Sequence, residues 1–319
     1  TCRVLKDAGI SDLLVNVAAP GFAHCRLDAL PRSPVYESQG DQLAACLAAA
    51  RPLGLRVHAW MIAFSTTHAT PYRMQVFSQR GWLLQATDGT DAPWLDPAVP
   101  EVRAMLVQAA GEILARYRVD GIHLDFVRYP DYYGSLGEGV RRRFEASRGR
   151  KIADWPEAAR RQPLFNELVR WRGAQTTALV AEIRRLQRRV APGTWLTAAV
   201  LGKYPTCVES VGQDWDGWIE QGYLDYVLPM NYTEQRAAFG ALVAQQTRSR
   251  RQATRLVGGI GVTASESRLD AAGVIDQINL LRSRDAAGFA LFDLDATLAR
   301  EILPVLRLGL TAPRTAGEK

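Results

Sequence analysis

The sequence lacks an apolar run of the roughly 18 residues that a membrane-spanning helix requires, so no transmembrane helix is predicted. It holds four cysteines, Cys2, Cys25, Cys46 and Cys207, and none forms a C-x-x-C pair. A structural zinc site is therefore not expected, and the pairing of these cysteines stays open.

Several catalytic signatures are also missing. No G-x-S-x-G nucleophile motif and no phosphate-binding loop occur, and no G-x-G-x-x-G follows the first predicted strand. Serine hydrolases, P-loop enzymes and dinucleotide-binding domains are thereby disfavoured. Two strand histidines are too few for a convincing metal set, so we predict neither metal nor cofactor.

Positive charge is in excess, with a net charge of +6 carried mostly by arginine. Pairs such as Arg184 with Arg185 and Arg188 with Arg189 lie on predicted helices. Because no nucleic-acid-binding motif accompanies them, solvated helix faces are the favoured interpretation, and no nucleic-acid partner is predicted. Binding to an anionic polysaccharide is the alternative.

The 319 residues, 47% of them hydrophobic, suffice for one large barrel or two ordinary domains. Strand and helix patterns alternate throughout, which is typical of a parallel sheet. The seven predicted strands cover residues 12–17, 55–62, 121–126, 195–200, 224–230, 256–262 and 288–293.

A helix without a preceding strand opens the chain. We therefore predict an α/β fold, a (β/α)8 TIM-type barrel over residues 1–310 that lacks its first strand, followed by a disordered tail over 311–319. An open doubly wound sheet is the alternative. The start at Thr1-Cys2-Arg3, without methionine or a signal-like segment, suggests a mature or truncated product.

One stretch stands out, the run from Val119 to Pro130 (VDGIHLDFVRYP). Ile122, Leu124 and Phe126 alternate with polar positions, as a strand requires. Asp125 falls at the end of this strand, and active sites of such barrels are built at the C-terminal ends of strands.

Polar and aromatic side chains also accompany the other strands. They are His58, Trp60, His123, Arg128, Tyr129, Asn231, Tyr232, Glu234 and Asp293. Carboxylates beside aromatic rings suit sugars, because rings stack on aromatic faces and hydroxyls bond to carboxylates and amides. Cleavage of a glycosidic bond requires a pair of carboxyl groups flanking it.

These motifs resemble the "family 10 glycosylhydrolase" barrels, an uncharacterised bacterial family. The resemblance is carried by Val57-His58-Ala59-Trp60, by Leu95-Asp96-Pro97, by the run around Asp125, and by DYVLPMNYT from Asp225 to Thr233. It implies a glycoside-hydrolase-like barrel, a polysaccharide or oligosaccharide ligand and a secreted or periplasmic location.

A more distant similarity is to the glycoside hydrolase family 18 chitinases, whose strand-four motif is D-G-x-D-x-D-x-E. Asp120, Gly121 and Asp125 match it, whereas His123 replaces an aspartate and Val127 replaces the catalytic glutamate. The resemblance therefore supports the fold and the ligand class more than the chitinase mechanism.

Asp125 is the first candidate for nucleophile, base or transition-state stabiliser, and Arg128 is expected to depress its pKa. Glu234 and Asp293 are the candidate partners. Trp60, Tyr129 and Tyr232 are candidate sugar platforms, while His58, His123, Arg128 and Asn231 are candidate substrate contacts.

The leading hypothesis is a glycoside hydrolase, and the alternative is a barrel that binds glycans without cleaving them. A barrel aldolase or isomerase is disfavoured, because no phosphate site and no strand-end lysine other than Lys203 are present.

Overall fold

The computed structural model describes residues 1–311, so the predicted tail, apart from Thr311, lies outside the described residues. The strands are β1 (Asp12–Ala19), β2 (Phe22–Ala23), β3 (Arg56–Ile62), β4 (Leu83–Gln85), β5 (Asp91–Leu95), β6 (Gly121–Asp125), β7 (Trp195–Leu201), β8 (Tyr226–Met230), β9 (Val257–Gly261) and β10 (Gly288–Phe292).

The helices alternate with these strands. They are α1 (Cys2–Asp7), α2 (Pro34–Gln39), α3 (Gln42–Ala50), α4 (Pro71–Gln79), α5 (Pro100–Arg116), α6 (Glu138–Arg148), α7 (Leu164–Val190), α8 (Thr206–Val211), α9 (Trp215–Glu220), α10 (Arg236–Gln246), α11 (Arg250–Ala253), α12 (Ala271–Arg282) and α13 (Leu303–Leu306).

The main sheet has the order β2-β1-β3-β6-β7-β8-β9-β10. Every neighbouring pair is parallel except the β1–β2 hairpin, so the seven predicted parallel strands are confirmed. Within residues 1–311, β1 and β10 do not pair with each other, and α1 precedes β1 without a strand before it. The fold is therefore a curled, barrel-type α/β sheet that stays open where a first strand would lie.

Local signals explain several element ends. Asp41 accepts a hydrogen bond from the Ala44 backbone N–H and caps α3. The turn after α3 ends at Gly54, whose φ of 66° lies in the left-handed region that glycine adopts without strain. The crossover helices then bury one apolar face, as α7 does with Leu179 and Ile183.

The Asp96-Pro97 pair is typical of a helix start and predicts that a helix begins at Pro97, and this prediction is wrong. Helix α5 begins at Pro100, with Val99 as its N-cap residue. The carboxylate of Asp96 instead accepts a hydrogen bond from the Ala98 backbone N–H at 2.8 Å and pairs with Arg143 at 2.8 Å. Pro100 is the proline that fits the first helical position.

The polar, turn-rich sequence of residues 63–95 predicts one long loop, but this segment contains regular structure. It holds α4, capped by the Thr70 side chain, and the antiparallel pair of β4 and β5. This insertion and α6 lie on the connections that follow the C-terminal ends of β3 and β6, at the end of the sheet where the predicted site residues gather.

Candidate active site

Asp125 is the last residue of β6, a strand whose five residues are all buried. Its side chain is 7% exposed, and its Oδ1 accepts a hydrogen bond from the Phe126 backbone N–H at 2.6 Å. Phe126 has a φ of 50°, a conformation uncommon for a bulky residue, and it turns the chain away from the strand. The carboxyl group is therefore held at the C-terminal end of the sheet.

Burial raises the pKa of Asp125 to about 6. The Phe126 N–H and the positive charge of Arg128 act in the opposite direction and are outweighed. The indole N–H of Trp60 also lowers this pKa slightly, although its geometry falls short of a hydrogen bond. The expected depression of the Asp125 pKa was therefore wrong, because the loss of water around the carboxylate exceeds the attraction of its cationic neighbour.

Arg128 lies near Asp125 but forms no salt bridge with it under a 4.0 Å limit. Its guanidinium lies 5.2 Å from the ring centre of Trp94 and 5.1 Å from that of Phe126, and it donates to the Tyr129 carbonyl at 3.2 Å. Burial lowers the pKa of Arg128, and the charge of Asp125 partly offsets this. A half-buried cation thus lies beside the site without a carboxylate bound to it.

Aromatic rings on or just after four strands form one side of the site. The Trp60 ring lies 6.2 Å from the rings of both His123 and Phe292, measured between centroids. Tyr232 stacks on Phe292 at 5.5 Å with an interplanar angle of 12°. Trp60, Tyr232 and Phe292 are each half-buried, so their rings remain partly open to a ligand.

His123 is a neutral member of this group. Burial lowers its pKa to about 3, with a smaller contribution from His58. One ring nitrogen of His123, Nδ1, lies 2.8 Å from the Thr197 hydroxyl. At neutral pH its imidazole can donate or accept one hydrogen bond but does not supply positive charge.

Three carboxylates act on the Tyr232 hydroxyl. Its pKa is raised chiefly by burial and further by the negative charges of Asp125, Glu266 and Asp293. Asp293 is exposed, follows β10 directly and accepts a hydrogen bond from the Thr263 hydroxyl at 2.7 Å. These acids come from three different strand ends and approach one tyrosine.

Glu234 is placed differently. It is exposed, and its carboxylate accepts a hydrogen bond from the Arg268 backbone N–H at 2.9 Å. It is not among the charges that raise the Tyr232 pKa. The charge of Asp293 therefore acts on the Tyr232 hydroxyl together with that of Asp125, whereas the contact that Glu234 makes is with the Arg268 backbone.

Three other predicted site residues are fully or almost fully buried. His58 is 3% exposed and pairs with Asp12 at 2.8 Å, near the N-terminal end of β3. Tyr129 is 0% exposed beneath the Arg172 guanidinium, which argues against a role as a sugar platform. Asn231, also 0% exposed, exchanges two hydrogen bonds with Gln246 at 2.7 and 2.9 Å, so its amide is already satisfied.

A cavity of about 290 Å³ adjoins Tyr232 at the ends of β7 and β8. Its wall is mostly apolar, with Leu201, Met230 and Leu242, and it also carries Lys203 and Ser210. This space is large enough for part of a sugar ligand next to the aromatic group.

Two site residues escaped the sequence reasoning. Glu266 lies five residues beyond β9 and Phe292 ends β10. Both residues lie at or after the end of a strand, where site residues are expected, but the glycine-rich sequence of β9 gives no sign of a polar site in the loop after it. The stacking of Phe292 on Tyr232 requires two strand ends to converge, which no local pattern reveals.

Within residues 1–311, no group of three or more histidine, cysteine, aspartate or glutamate side chains is arranged to hold a metal ion. All four cysteines are free thiols in the structure. Among the described helices, none combines the length and hydrophobicity needed to cross a membrane.

Comparison with known proteins identifies the family. The profile of the family described as glycosyl hydrolase-like 10 matches residues 20–264, well over half of the chain. The chain belongs to the glycosyl hydrolase-like 10 family. The matched residues include Asp125 and Glu234 and end before Glu266 and Asp293.

A curated protein is also similar to this chain. The chain is 26% identical over 263 residues to the glycosyl hydrolase DigH of Escherichia coli K12, covering 72% of this chain and 56% of that protein. The chain thus spans little more than half the length of this relative.

Solved structures show the same fold. The glycoside hydrolase domain of PgaB (BpsB) from Bordetella bronchiseptica aligns with a TM-score of 0.74 at 13% identity, covering 96% of this chain and 90% of that one. The GH42 β-galactosidase Gan42B from G. stearothermophilus aligns with a TM-score of 0.60 at 12% identity, covering 92% and 48%. At such identities the likeness concerns the fold alone, and it confirms the predicted barrel-type α/β fold.

Proposed function

We propose that the chain is a glycoside hydrolase that cleaves a polysaccharide, with Asp125 as the proton donor. The single observation that carries this assignment is the burial of Asp125 at a strand end, which raises its pKa to about 6. A general acid works best when its pKa lies near the operating pH, so that the protonated form is populated. The family membership supports the reaction class.

Asp293 is our choice for the second carboxyl group. Its charge and that of Asp125 both act on the hydroxyl of Tyr232, and it is exposed to solvent and to substrate. Glycosidases need one carboxyl group to protonate the leaving oxygen and another to attack or to activate water. Glu266 is the next candidate on the same grounds, and Glu234 follows it.

The aromatic group supplies the binding surface in this proposal. Tyr232, Phe292 and Trp60 present partly open rings beside Asp125, and the cavity next to Tyr232 extends this surface. A polysaccharide then places one sugar ring on the aromatic faces with its glycosidic oxygen near Asp125. Arg128 lies on the other side and is available for a polar or acidic substituent.

The test is the release of reducing ends from neutral, amino and acidic polysaccharides across pH 4–9, with Asp125→Asn and Asp293→Asn beside the parent protein. As a proton donor, Asp125 requires activity to fall as the pH rises through about 6. Activity that instead falls as the pH drops through this value would make Asp125 the nucleophile or base. Glu301→Gln, a change at an exposed carboxylate of the C-terminal region, is the matched control.

A barrel that binds glycans without cleaving them is the second candidate. Val127, buried where the chitinase motif has its catalytic glutamate, favours it. Saturable binding of a polysaccharide with no release of reducing ends, unchanged in Asp125→Asn, would select this function over hydrolysis.

A further inference from the structure

The N-terminal end of the sheet, opposite Asp125, carries a concentration of arginines. In a parallel sheet the last turns of the crossover helices and the connections that lead into the strands lie at this one end. Six arginines share this placement, and we call them the arginine face: Arg51, Arg118, Arg188, Arg189, Arg255 and Arg284. They precede β3, β6, β7, β9 and β10, so they are spread around the whole end of the sheet.

The guanidinium groups of the arginine face are available to a partner. All six residues are exposed. Within residues 1–311, none of them forms a salt bridge, and the side-chain bonds they make, such as that of Arg255 to the Asp225 carbonyl at 3.2 Å, go to uncharged oxygens. Their charge is therefore not cancelled by an ion pair.

Some carboxylates at the same end are paired with other cations, whereas Asp120, half-buried before β6, makes no salt bridge within residues 1–311 and accepts the Val57 backbone N–H at 2.8 Å. Asp12 pairs with Arg56 at 2.6 Å and Asp225 pairs with Arg184 at 2.8 Å. Asp7 and Asp285 are exposed and make no salt bridge in the described part of the chain, but Lys6, also exposed, accompanies Asp7. The end as a whole keeps an excess of positive charge.

Helix dipoles explain only part of this pattern. The crossover helices end at this side of the sheet, and their C-terminal turns favour cations. Arg188 and Arg189 lie in the last turn of α7 and fit that explanation. Arg118, Arg255 and Arg284 lie two residues beyond the ends of α5, α11 and α12, close to the same carbonyl ends, so the dipoles favour a cation there but do not supply a negatively charged partner for it.

We propose that the arginine face docks onto an anionic phospholipid surface, with the candidate active site pointing away from it. Cations spread over the whole N-terminal end of the sheet match a two-dimensional layer of phosphate groups. A single anionic polymer chain would instead be bound by cations arranged in a line. Two side chains near the arginine face are of types that suit the lipid–water interface. Val190 is 45% exposed at the end of α7, and half-buried Trp195 opens β7 with Arg56 4.8 Å from its ring centre. The proposal is independent of the hydrolase assignment.

The experiment measures binding of the full chain to vesicles of phosphatidylglycerol mixed with phosphatidylcholine, and to vesicles of phosphatidylcholine alone. The test variant is the double change Arg189→Gln with Arg284→Gln, since neither side chain makes a hydrogen bond or salt bridge in residues 1–311. The matched control is Arg142→Gln with Arg170→Gln, which removes the same charge from exposed positions elsewhere. Arg170 lies on α7 about 28 Å along the helix axis from Arg189.

We expect binding only to the vesicles that contain phosphatidylglycerol, and weakening of that binding as salt is added. Each arginine at an anionic surface contributes about a fivefold gain in partitioning, so the test variant should bind about 25-fold more weakly and the control should bind like the parent. Equal denaturation midpoints for all three proteins would exclude unfolding as the cause.

Three results would overturn the proposal. They are equal binding to both kinds of vesicle, equal loss in the control variant, which would trace the effect to net charge, and binding to a soluble anionic polysaccharide such as polygalacturonate without binding to vesicles. The last result would assign the arginine face to a polyanionic chain instead.

Discussion

The substitution Asp125→Asn is expected to make the protein more stable at neutral pH while it abolishes turnover. The carboxyl group titrates at about 6 in the folded chain instead of the ordinary 3.8. Below about pH 4 both the folded and the unfolded chain carry the proton, so the group has no effect on stability. As the pH rises towards 6 the unfolded chain releases the proton more readily, and the folded state loses free energy relative to it.

The size of the effect follows from the two pKa values. Their difference, about 6 minus 3.8, is about 2 units, and each unit corresponds to about 1.4 kcal/mol. Ionised Asp125 therefore destabilises the folded protein by about 3 kcal/mol at pH 7 and by less than about 1 kcal/mol at pH 4. Asparagine keeps the shape and can still accept the Phe126 N–H, but it has no charge to bury.

The assay is urea unfolding of the parent protein and of Asp125→Asn at pH 4 and pH 7, followed by tryptophan fluorescence. The free energy of unfolding of the variant should exceed that of the parent by about 3 kcal/mol at pH 7 and be nearly equal to it at pH 4. A difference that is the same at both pH values would mean that burial does not perturb this carboxyl group. A less stable variant at pH 7 would mean that the ionised form is favoured by the site, and the proton-donor role would be lost with it.

Three further predictions concern the surroundings of the site. Arg128→Met removes a charge that lowers the Asp125 pKa, so the alkaline fall of the pH–activity profile should move to higher pH, and a move to lower pH would contradict the electrostatics. Arg143→Ala leaves the carboxylate of Asp96 buried and unpaired, so urea unfolding at pH 7 should show a free energy of unfolding that is lower by about 3–5 kcal/mol, and by less when Asp96 is also replaced. Gln246→Leu leaves the buried amide of Asn231 without its partner and should lower the free energy of unfolding by about 1–3 kcal/mol, whereas an unchanged midpoint would show that water replaces it.

Much of the framework could be predicted because it depends on local patterns. Alternation of apolar residues located the seven parallel strands. Asp125 could be singled out as a candidate because a carboxylate at the end of a buried strand is costly unless it is paired, hydrogen-bonded or open to a cleft. The position of a residue relative to a strand end can be derived from sequence without any knowledge of the tertiary fold.

The properties that depend on several segments could not be predicted. The sign of the Asp125 pKa shift depends on how fully the segments after β3 and β6 cover the carboxyl group, and a nearby arginine in the sequence suggested the opposite sign. Asn231 and Tyr129 have the residue types of ligand contacts, but their partners, Gln246 and Arg172, lie on distant helices and take them into the core. Side-chain chemistry alone did not reveal which polar groups were already satisfied.

The segment after Asp125 shows how the site can hold a protonated acid next to a cation. Arg172, 1% exposed, donates to the carbonyls of Asp131 and Tyr132 and to the Ser135 hydroxyl, so it fixes this segment from behind. The segment in turn directs Arg128 towards aromatic rings and a backbone carbonyl, not onto the carboxylate. A direct pair would depress the pKa of Asp125 by about 1–3 units and leave it ionised at the pH where an acid is needed. Because Arg128 makes these contacts and does not pair with Asp125, burial remains the dominant influence on the pKa of that carboxyl group.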